Sequence, residues 1–255
     1  METLNIYDQQ RVRVVEMDRP EALNAFSQQL MDDLAETFIT TATDPSISVL
    51  VLTGAGRAFS AGADLQEMGR TQATPKHGFP GLLDAILEFP KPFMVAVNGV
   101  GAGIGATICG LADFVFISDQ ARLRCPFSSL GLTAEAASTY TFPRLMGRQK
   151  ASWFLMAAEW MSGQEAVDAG LAMELCSAQT LMPRTLEQAS KLARLPLTSL
   201  AMTKRLIMQH TKADMAAAAK AENEGLASLV GSPANKEALA AFREKRDADF
   251  SQLSS

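Results

Sequence analysis

The segment KPFMVAVNGVGAGIGATICGLADFVF, residues 91–116, places a glycine-rich turn between two apolar runs. The runs FMVAVN (93–98) and FVFIS (114–118) are continuous, which is typical of strands buried on both faces of a sheet. The turn GAGIGA (101–106) leaves room for a helix of only about eight residues before the second run begins. The segment therefore predicts a strand, a glycine-rich turn, a short helix and another buried strand.

The same turn also matches the dinucleotide-binding pattern G-x-G-x-x-A, and Asp119 lies 18 residues after Gly101. The connection between parallel strands in such a fold takes roughly 10–12 residues, which is more than the chain offers here. The turn also lies about a hundred residues into the chain, whereas that pattern normally follows a first strand. We therefore interpret these glycines as residues that let backbone segments pack closely.

A second motif comes close to a hydrolase signature. AFSAG (58–62) is one residue short of the G-x-S-x-G nucleophile elbow, and Ser60 would then need His210 as its base. His210 follows a helical pattern rather than a catalytic loop, so we disfavour a serine hydrolase. The only other histidine is His77, and the distance between the two along the chain disfavours a histidine-based metal site.

The rest of the first 175 residues alternates between strand and helix signals. The predicted elements are a hairpin at 4–8 and 11–17, a helix from Ser27 to Thr41, strands at 49–53 and 122–124, a polar loop at 69–81, a short helix at 82–89 and a helix opened by the capping box SGQE (162–165) and ended at Gly170. This alternation is typical of an α/β core.

Only helical patterns remain after Thr180, and Ser232-Pro233 is expected to begin a last helix carrying Leu239, Phe242 and Phe250. Apolar side chains are frequent in this region although it lies outside the strand pattern; they include Leu200, Leu206, Ile207, Met208, Leu226, Leu229, Leu239 and Phe242. Apolar surface of this kind usually finds a partner, so we expect an oligomer.

Composition restricts the functional classes. With 255 residues, 47% hydrophobic, the chain can bury a sizeable core, and its net charge of −5 gives no general attraction to nucleic acid or anionic membranes. It contains no apolar run of the roughly 18 residues that span a membrane. We expect a cytoplasmic protein, because no secretory or SKL-type signal is evident and three cysteines without a CxxC motif are typical of free thiols.

The stretch PFSSLGLTAEAASTYTFPRLMG (126–147) contains a single carboxylate, Glu135, among small and apolar residues. Such an acid can be a solvated residue near a helix start, or it can point into an apolar site where its pKa rises and it becomes a useful base. The residues alone leave both interpretations open.

Several of these segments together resemble the crotonase, or enoyl-CoA hydratase/isomerase, superfamily. They are RPEALNAF (19–26), RAFSAGADLQEM (57–68), the segment 91–116, PFSSLGLTAEAASTYTFPRLMG (126–147), MSGQEAVDAGLAMEL (161–175) and AFREKRDADF (241–250). The resemblance implies a spiral of ββα units with two roughly perpendicular sheets over residues 1–196. It also implies a helical C-terminal region, 197–255, that builds homotrimers, often paired as hexamers.

The resemblance also implies a site for an acyl-CoA thioester, with no metal and no resident cofactor. Two backbone N–H groups, those of Ala63 and Ile104, would stabilise the thioester enolate, and Glu135 would carry the proton. The residues implied in binding substrate or CoA are Ala22, Ser60, Ala61, Ala63, Asp64, Leu65, Gly103, Phe127, Leu130, Phe242 and Lys245, the last two reaching a neighbouring subunit's CoA. Asp64 and Glu67 are interpreted as structural or solvated carboxylates.

Two positions decide which member of the superfamily the chain resembles. Hydratases carry a glutamate at each, and this chain has Thr107 and Phe127, neither of which can hold and deprotonate water. Glu135 instead matches the Δ3,Δ2-enoyl-CoA isomerase branch, for which one base suffices. Hydration, acyl-CoA hydrolysis and dienoyl-CoA isomerisation remain as alternatives, as does a non-catalytic acyl-CoA-binding module.

Overall fold

A computed structural model describes residues 2–64, 67, 74–251 and 253. The strands are β1 (Leu4–Gln9), β2 (Val12–Met17), β3 (Val49–Gly54), β4 (Ala58–Ser60), β5 (Phe93–Val97), β6 (Val100–Ala102), β7 (Phe114–Ser118), β8 (Arg122–Arg124), β9 (Trp160–Ser162) and β10 (Glu174–Cys176). They form a six-stranded sheet of order β1-β2-β3-β5-β7-β10 and a four-stranded sheet of order β4-β6-β8-β9.

The helices surround these two sheets. They are α1 (Gln28–Thr43), α2 (Gly78–Glu88), α3 (Ile104–Thr107), α4 (Ser138–Met146), α5 (Arg148–Met156), α6 (Gly163–Ala169), α7 (Leu181–Ala193), α8 (Leu197–Met208), α9 (Lys212–Leu229) and α10 (Pro233–Glu244). Short 3-10 turns lie at Pro20–Ala22, Ile108–Gly110 and Ser128–Leu130. The predicted two-sheet α/β architecture is confirmed. Among the described residues, no helix is both long and apolar enough to span a membrane.

The larger sheet explains why β5 and the first four residues of β3, 49–52, are all apolar. Alternate residues, such as Leu50 and Leu52, belong to the main core together with Phe38 of α1. Their neighbours, such as Val49 and Val51, pack in a second cluster that includes residues of α7. A sheet covered on both faces needs apolar side chains at every position, because neither set of alternating side chains meets water.

Most of the predicted element ends are confirmed by their capping groups. β1 and β2 pair antiparallel with Gln9 opposite Val12. The Ser27 side chain accepts a hydrogen bond from Leu30 N at the start of α1. Ser162 and Glu165 form the complete capping box of α6, and Gly170 ends that helix in the left-handed conformation. These ends were predictable because each depends on residues close together in the chain.

Two element boundaries differ from the prediction. α2 begins at Gly78, whereas the sequence predicted a polar loop over 69–81, of which 69–73 lie outside the described residues. The start of α2 is capped by a side chain from a distant helix. Asp32 of α1 accepts hydrogen bonds from the N–H groups of His77 and Gly78, each at 2.7 Å. The last helix ends at Glu244, so Phe250 does not lie on it.

The C-terminal helices pack unevenly on the core. α8 contains no buried residue, whereas α9 packs against α4 and buries Met215, Ala219 and Glu222. The start of α10 contacts the turn Ser128–Leu130, where Asn235 Nδ2 donates to Leu130 O at 2.8 Å. The division at residue 197 into a core and an oligomerisation region stays a prediction.

Candidate active site

The first part of the candidate site is the turn that follows β4. Gly62 has a φ of +92°, and a Cβ at this position would lie 2.8 Å from Ala102 O, so both the conformation and the space require glycine. The Ser60 hydroxyl lies inside this turn, where it donates to Asn24 O at 2.8 Å and accepts from Gly62 N at 3.1 Å. Ser60 is therefore a structural residue of the turn.

A parallel bridge between Phe26 and Ala63 orients the next peptide groups. Phe26 N donates to Gly62 O at 2.8 Å, and Asp64 N donates to Phe26 O at 3.2 Å. In this pattern the N–H of Ala63 points away from Phe26, and no acceptor for it is found in the described part of the chain. An N–H group in this state can donate to a ligand.

Asp64 fixes the position of the same turn. Its carboxylate accepts a hydrogen bond from Arg19 Nη2 at 3.1 Å, and Arg19 Nη1 donates to Ala25 O at 2.6 Å. Arg19 thus ties the turn to the segment that precedes α1. The neighbouring Glu67 accepts from Gln28 N at 2.8 Å, at the start of α1. Both carboxylates have structural contacts.

The second part of the site is the turn between β6 and α3. Gly103 has φ +53° and ψ −123°, a conformation that residues with a Cβ rarely adopt, and it precedes the first helical residue, Ile104. The N–H of a first helical residue has no partner within its helix. Over the described residues, that of Ile104 has none elsewhere. The Ile104 side chain is buried in the main core, away from the solvent side of the turn.

The two turns touch each other. A Cβ on Gly62 would lie 3.7 Å from the Cα of Gly103, and a Cβ on Gly105 would lie 2.6 Å from Ser60 O. The helix begun by the second turn is short, since α3 is followed at once by the 3-10 turn Ile108–Gly110. The glycines therefore serve close backbone packing, and the dinucleotide interpretation has no long helix to support it.

Glu135 lies beside these turns, on the loop between the Ser128–Leu130 turn and α4. A Cβ on Gly103 would lie 3.6 Å from Glu135 Oε1. Part of the residue's surface remains accessible, yet burial of the carboxyl, helped by the nearby charge of Glu222, raises the pKa of Glu135 to about 7. A carboxyl group with such a pKa can accept and return a proton near neutral pH.

The backbone after Glu135 is strained. Ala136 and Ala137 have φ values of +59° and +56°, a left-handed conformation that costs residues other than glycine about 1–2 kcal/mol each. Three hydrogen bonds from this region end on the Glu222 carboxylate of α9: from Ala137 N at 2.6 Å, from Thr139 N at 2.8 Å and from Thr139 Oγ1 at 2.5 Å. Glu222 is not among the residues predicted from the sequence, because nothing in the alanine-rich pattern of α9 distinguishes it from the other carboxylates of that helix.

The two positions at which the family resemblance implies glutamates in hydratases, Thr107 and Phe127, are buried in this protein. Thr107 lies at the end of α3 with no exposed surface, and its hydroxyl has no partner among the described residues. Phe127 is 5% exposed and belongs to the main core. Among the described residues, no three His, Cys, Asp or Glu side chains are arranged to hold a metal.

The other predicted binding residues are spread over several elements. Ala61 is exposed beside Gly62, while Ala22 and Leu130 are half-buried on their 3-10 turns. Phe242 and Lys245 are exposed near the end of α10, and no hydrogen bond or ion pair joins them to the described residues of the two turns. Leu65 lies outside the described residues.

The serine hydrolase arrangement is absent from the described structure. The Ser60 hydroxyl is fully buried, whereas His210 is exposed after the end of α8 and contacts Gln209. A base in that position cannot take a proton from a hydroxyl that is already used inside a turn.

A family model and several known proteins match this chain. A family model described as enoyl-CoA hydratase/isomerase matches residues 8–253. The chain is 33% identical over 252 residues to 2,3-dehydroadipyl-CoA hydratase of Escherichia coli (strain K12), covering 98% of this chain and 99% of that protein. It is 33% identical over 205 residues to enoyl-CoA delta isomerase 2 of Rattus norvegicus, covering 78% of this chain and 52% of that one.

A solved structure extends the likeness to three dimensions. The crystal structure of an enoyl-CoA hydratase/isomerase from Pseudoalteromonas atlantica T6c superposes with a TM-score of 0.93 at 34% identity, covering 97% of this chain and 99% of that chain. The sequence match and the superposition both extend over nearly the whole length. The chain belongs to the enoyl-CoA hydratase/isomerase family.

Proposed function

We propose that this protein is a Δ3,Δ2-enoyl-CoA isomerase that acts on unsaturated fatty acyl-CoA. The observation that carries the proposal is Glu135, whose carboxyl group has a pKa raised to about 7 and lies next to two glycine turns. Each turn leaves one backbone N–H without an acceptor among the described residues. One base and two convergent donors are sufficient for this reaction.

In the proposed mechanism the thioester oxygen accepts hydrogen bonds from Ala63 N and Ile104 N. Glu135 removes a proton from C2 of the 3-enoyl thioester, and the C2–H electron pair forms a C1–C2 double bond as charge moves onto the oxygen. The enolate then collapses, the double bond moves to C2–C3, and C4 takes the proton back from Glu135. Fixed N–H dipoles stabilise the enolate without reorganisation at the moment of reaction.

The same arrangement disfavours hydration. Adding water to a double bond requires a group that holds and deprotonates water and a group that protonates carbon. Thr107 and Phe127 can do neither, and both are buried. The intact Glu135 also argues against a purely non-catalytic acyl-CoA-binding module, in which no base is needed.

The proposal includes a substrate path and an assembly. CoA would lie along Ala22, Ala61 and Leu130, as a substrate rather than a resident cofactor, with Phe242 and Lys245 contributed by a neighbouring subunit of a homotrimer or homohexamer. Exposed apolar residues on the C-terminal helices support such an assembly; they include Met202, Leu206, Ile207 and Phe242. The compartment we propose is the cytoplasm, with fatty acid β-oxidation as the pathway; the three cysteines are free and buried.

The deciding experiment is an absorbance assay with 3-hexenoyl-CoA. Conversion to the 2-enoyl thioester supports the isomerase, whereas CoA binding without turnover would support the binding module. Light scattering should report a mass of three or six chains, and a monomer at micromolar concentration would contradict the assembly and the cross-subunit role of Lys245.

Hydratase activity is the second candidate, because a relative that matches 98% of the chain is a hydratase. Crotonyl-CoA separates the two activities. The isomerase proposal expects little 3-hydroxybutyryl-CoA, and hydration as fast as isomerisation would overturn the interpretation of Thr107 and Phe127.

A complex with an acyl-CoA would test the geometry directly. The thioester oxygen should lie within about 2.7–3.1 Å of both Ala63 N and Ile104 N. A Glu135 oxygen should lie within about 3.5 Å of C2 or C4. If the oxygen meets only one N–H, or if Glu135 faces solvent, the isomerase proposal fails.

A further inference from the structure

We propose that Glu222 is a positioning residue for Glu135: its carboxylate holds the left-handed Ala136–Ala137 segment and so keeps the Glu135 side chain against Gly103. This inference rests on the proposed function, in which Glu135 is the base. It assigns to α9, a helix of the C-terminal third, a part in setting up the catalytic loop.

The geometry carries the first step. Two consecutive residues with a Cβ rarely adopt a left-handed conformation unless the surrounding structure imposes it. Here both oxygens of one buried carboxylate impose it, since Oε2 accepts from Ala137 N and Oε1 accepts from both the N–H and the hydroxyl of Thr139. The Ala137 N–H belongs to the strained residue itself, so the hydrogen bond acts directly on the segment that follows Glu135.

The burial of Glu222 supports a specific role. The residue is 5% exposed. An ionisable side chain is seldom buried unless charges or hydrogen bonds compensate for its desolvation. No cation is paired with Glu222 among the described residues. Three hydrogen-bond donors from a single loop compensate its carboxylate instead. A helix–helix contact between α4 and α9 could use an apolar side chain instead, whereas an apolar residue could not accept these hydrogen bonds.

Charge provides the second step. Among the described residues, the titratable groups that interact electrostatically with Glu135 are Glu222 on α9 and Cys125 on the segment after β8. Burial raises the pKa of the Cys125 thiol well above its usual range, so the thiol stays neutral. Glu222 therefore supplies the nearby negative charge that, after burial, contributes to the raised pKa of Glu135.

The main variant is Glu222→Gln. Its amide can accept on one side only, so at least one of the three donors loses its acceptor, and the negative charge is removed. At pH 8, where Glu135 is ionised, kcat with 3-hexenoyl-CoA should fall about tenfold or more while KM changes little. The acid limb of the kcat/KM profile should move to lower pH by about one pH unit, because a repelling charge is gone.

Two further variants separate position from charge. Glu222→Asp keeps the charge but shortens the side chain, so kcat should fall while the acid limb moves less. Glu224→Gln is the matched control, because Glu224 is an exposed carboxylate on the same helix and pairs with Lys220 at 4.0 Å. It should leave both kcat and the acid limb unchanged.

If Glu222 has only a structural role, its variants should melt at a lower temperature while kcat of the folded enzyme stays as in wild type, and that result overturns the inference whether or not the acid limb moves. An equal loss in Glu224→Gln does the same. If neither variant at position 222 folds, Thr139→Val decides, since Thr139 is exposed and loses only its hydroxyl contact. A fall in kcat of about threefold or more supports the inference, and an unchanged kcat overturns it.

Failure of the proposed function is a distinguishable outcome. If wild type does not isomerise 3-hexenoyl-CoA, the proposed function fails, but the positioning role is still tested by crystal structures of Glu222→Gln and Glu224→Gln. The inference expects Ala136 and Ala137 to leave the left-handed conformation and Glu135 to move away from Gly103 in Glu222→Gln, with both unchanged in Glu224→Gln. An unmoved loop in Glu222→Gln overturns it.

Discussion

The turn at 60–64 and the loop at 131–139 each bring one carboxylate to the candidate site, but they surround it in opposite ways. Asp64 is paired with Arg19, which is itself bound to a backbone carbonyl. Glu135 has neither a cation nor a hydrogen-bond donor on its side chain within the described structure, and the carboxylate of Glu222 helps to raise its pKa. The partners, rather than the residue type, decide which carboxylate fixes a turn and which can exchange a proton.

The largest expected effect comes from removing the unpaired carboxylate. Glu135→Gln keeps the size of the side chain and removes its ability to carry a proton. Loss of general base catalysis should lower kcat by roughly 10²–10⁴-fold, with little change in CoA affinity. The measurement is turnover of 3-hexenoyl-CoA together with calorimetric titration of CoA. If the variant keeps most of its turnover, another residue is the base.

The pH profile of the wild-type enzyme tests the same difference without a mutation. Under the proposed mechanism Glu135 is the base, and its pKa of about 7 means that it is protonated in acid, so kcat/KM should fall about tenfold per pH unit below pH 7. The value at pH 5 should therefore be about 100-fold below that at pH 8. A profile that stays flat over this range contradicts the assignment of Glu135 as the base.

The same titration makes a prediction about stability. A carboxyl group whose pKa is raised from 4.5 to about 7 on folding favours the folded state in acid, and this contribution is lost as the pH rises through 7. Glu135→Gln should therefore gain in free energy of unfolding relative to wild type between pH 5 and pH 8. Denaturant unfolding at the two pH values measures this, and a constant difference would argue against the burial of the carboxyl group.

The turn at 60–64 should be disrupted by a substitution at Gly62, where the backbone conformation and the space both require glycine. Gly62→Ala combines a φ of +92° with a Cβ that would lie 2.8 Å from Ala102 O, so it should lose roughly 2–4 kcal/mol in free energy of unfolding. Gly231→Ala is the matched control, because Gly231 has a φ of +75° but nothing within 4 Å of its Cβ. Denaturant midpoints compare the two. Equal losses would mean that contact between the turns is unimportant.

The smallest expected effect comes from the paired carboxylate. Asp64→Asn removes the ion pair with Arg19 while keeping the shape, and should cost about 1–2 kcal/mol of stability. Isomerase turnover in the folded variant should stay within about threefold of wild type, because Asp64 fixes the turn and carries no proton. A loss of turnover as large as that of Glu135→Gln would mean that the two carboxylates do not differ in role.

The sequence predicted those parts of the molecule that depend on local residue patterns. The continuous apolar runs at 93–98 and 114–118 contain β5 and β7, and the caps at Ser27 and Ser162 are in place. The isolation of Glu135 among small residues, together with the family resemblance, singled out the one acid of its loop. Each of these signals lies within a few residues of the feature that it predicts.

The remaining features depend on contacts between distant parts of the chain. Glu222 lies 85 positions from Ala137, to which its carboxylate is bound, and Asp32 lies 46 positions from Gly78, which it caps. Alanine is an excellent helix former, so the left-handed conformation of Ala136 and Ala137 cannot be anticipated from the residues themselves. Tertiary contacts override local propensity at each of these places.

The position of Glu222 so late in the chain has a consequence for synthesis on the ribosome. Both sheets and α4 are complete by residue 176, but the acceptor of the Ala137 and Thr139 N–H groups belongs to α9. Met215 and Ala219 of the same helix also belong to the main core. The core and the loop around Glu135 therefore reach their final packing only after the ribosome has translated α9, the ninth of the ten helices in the described part of the chain.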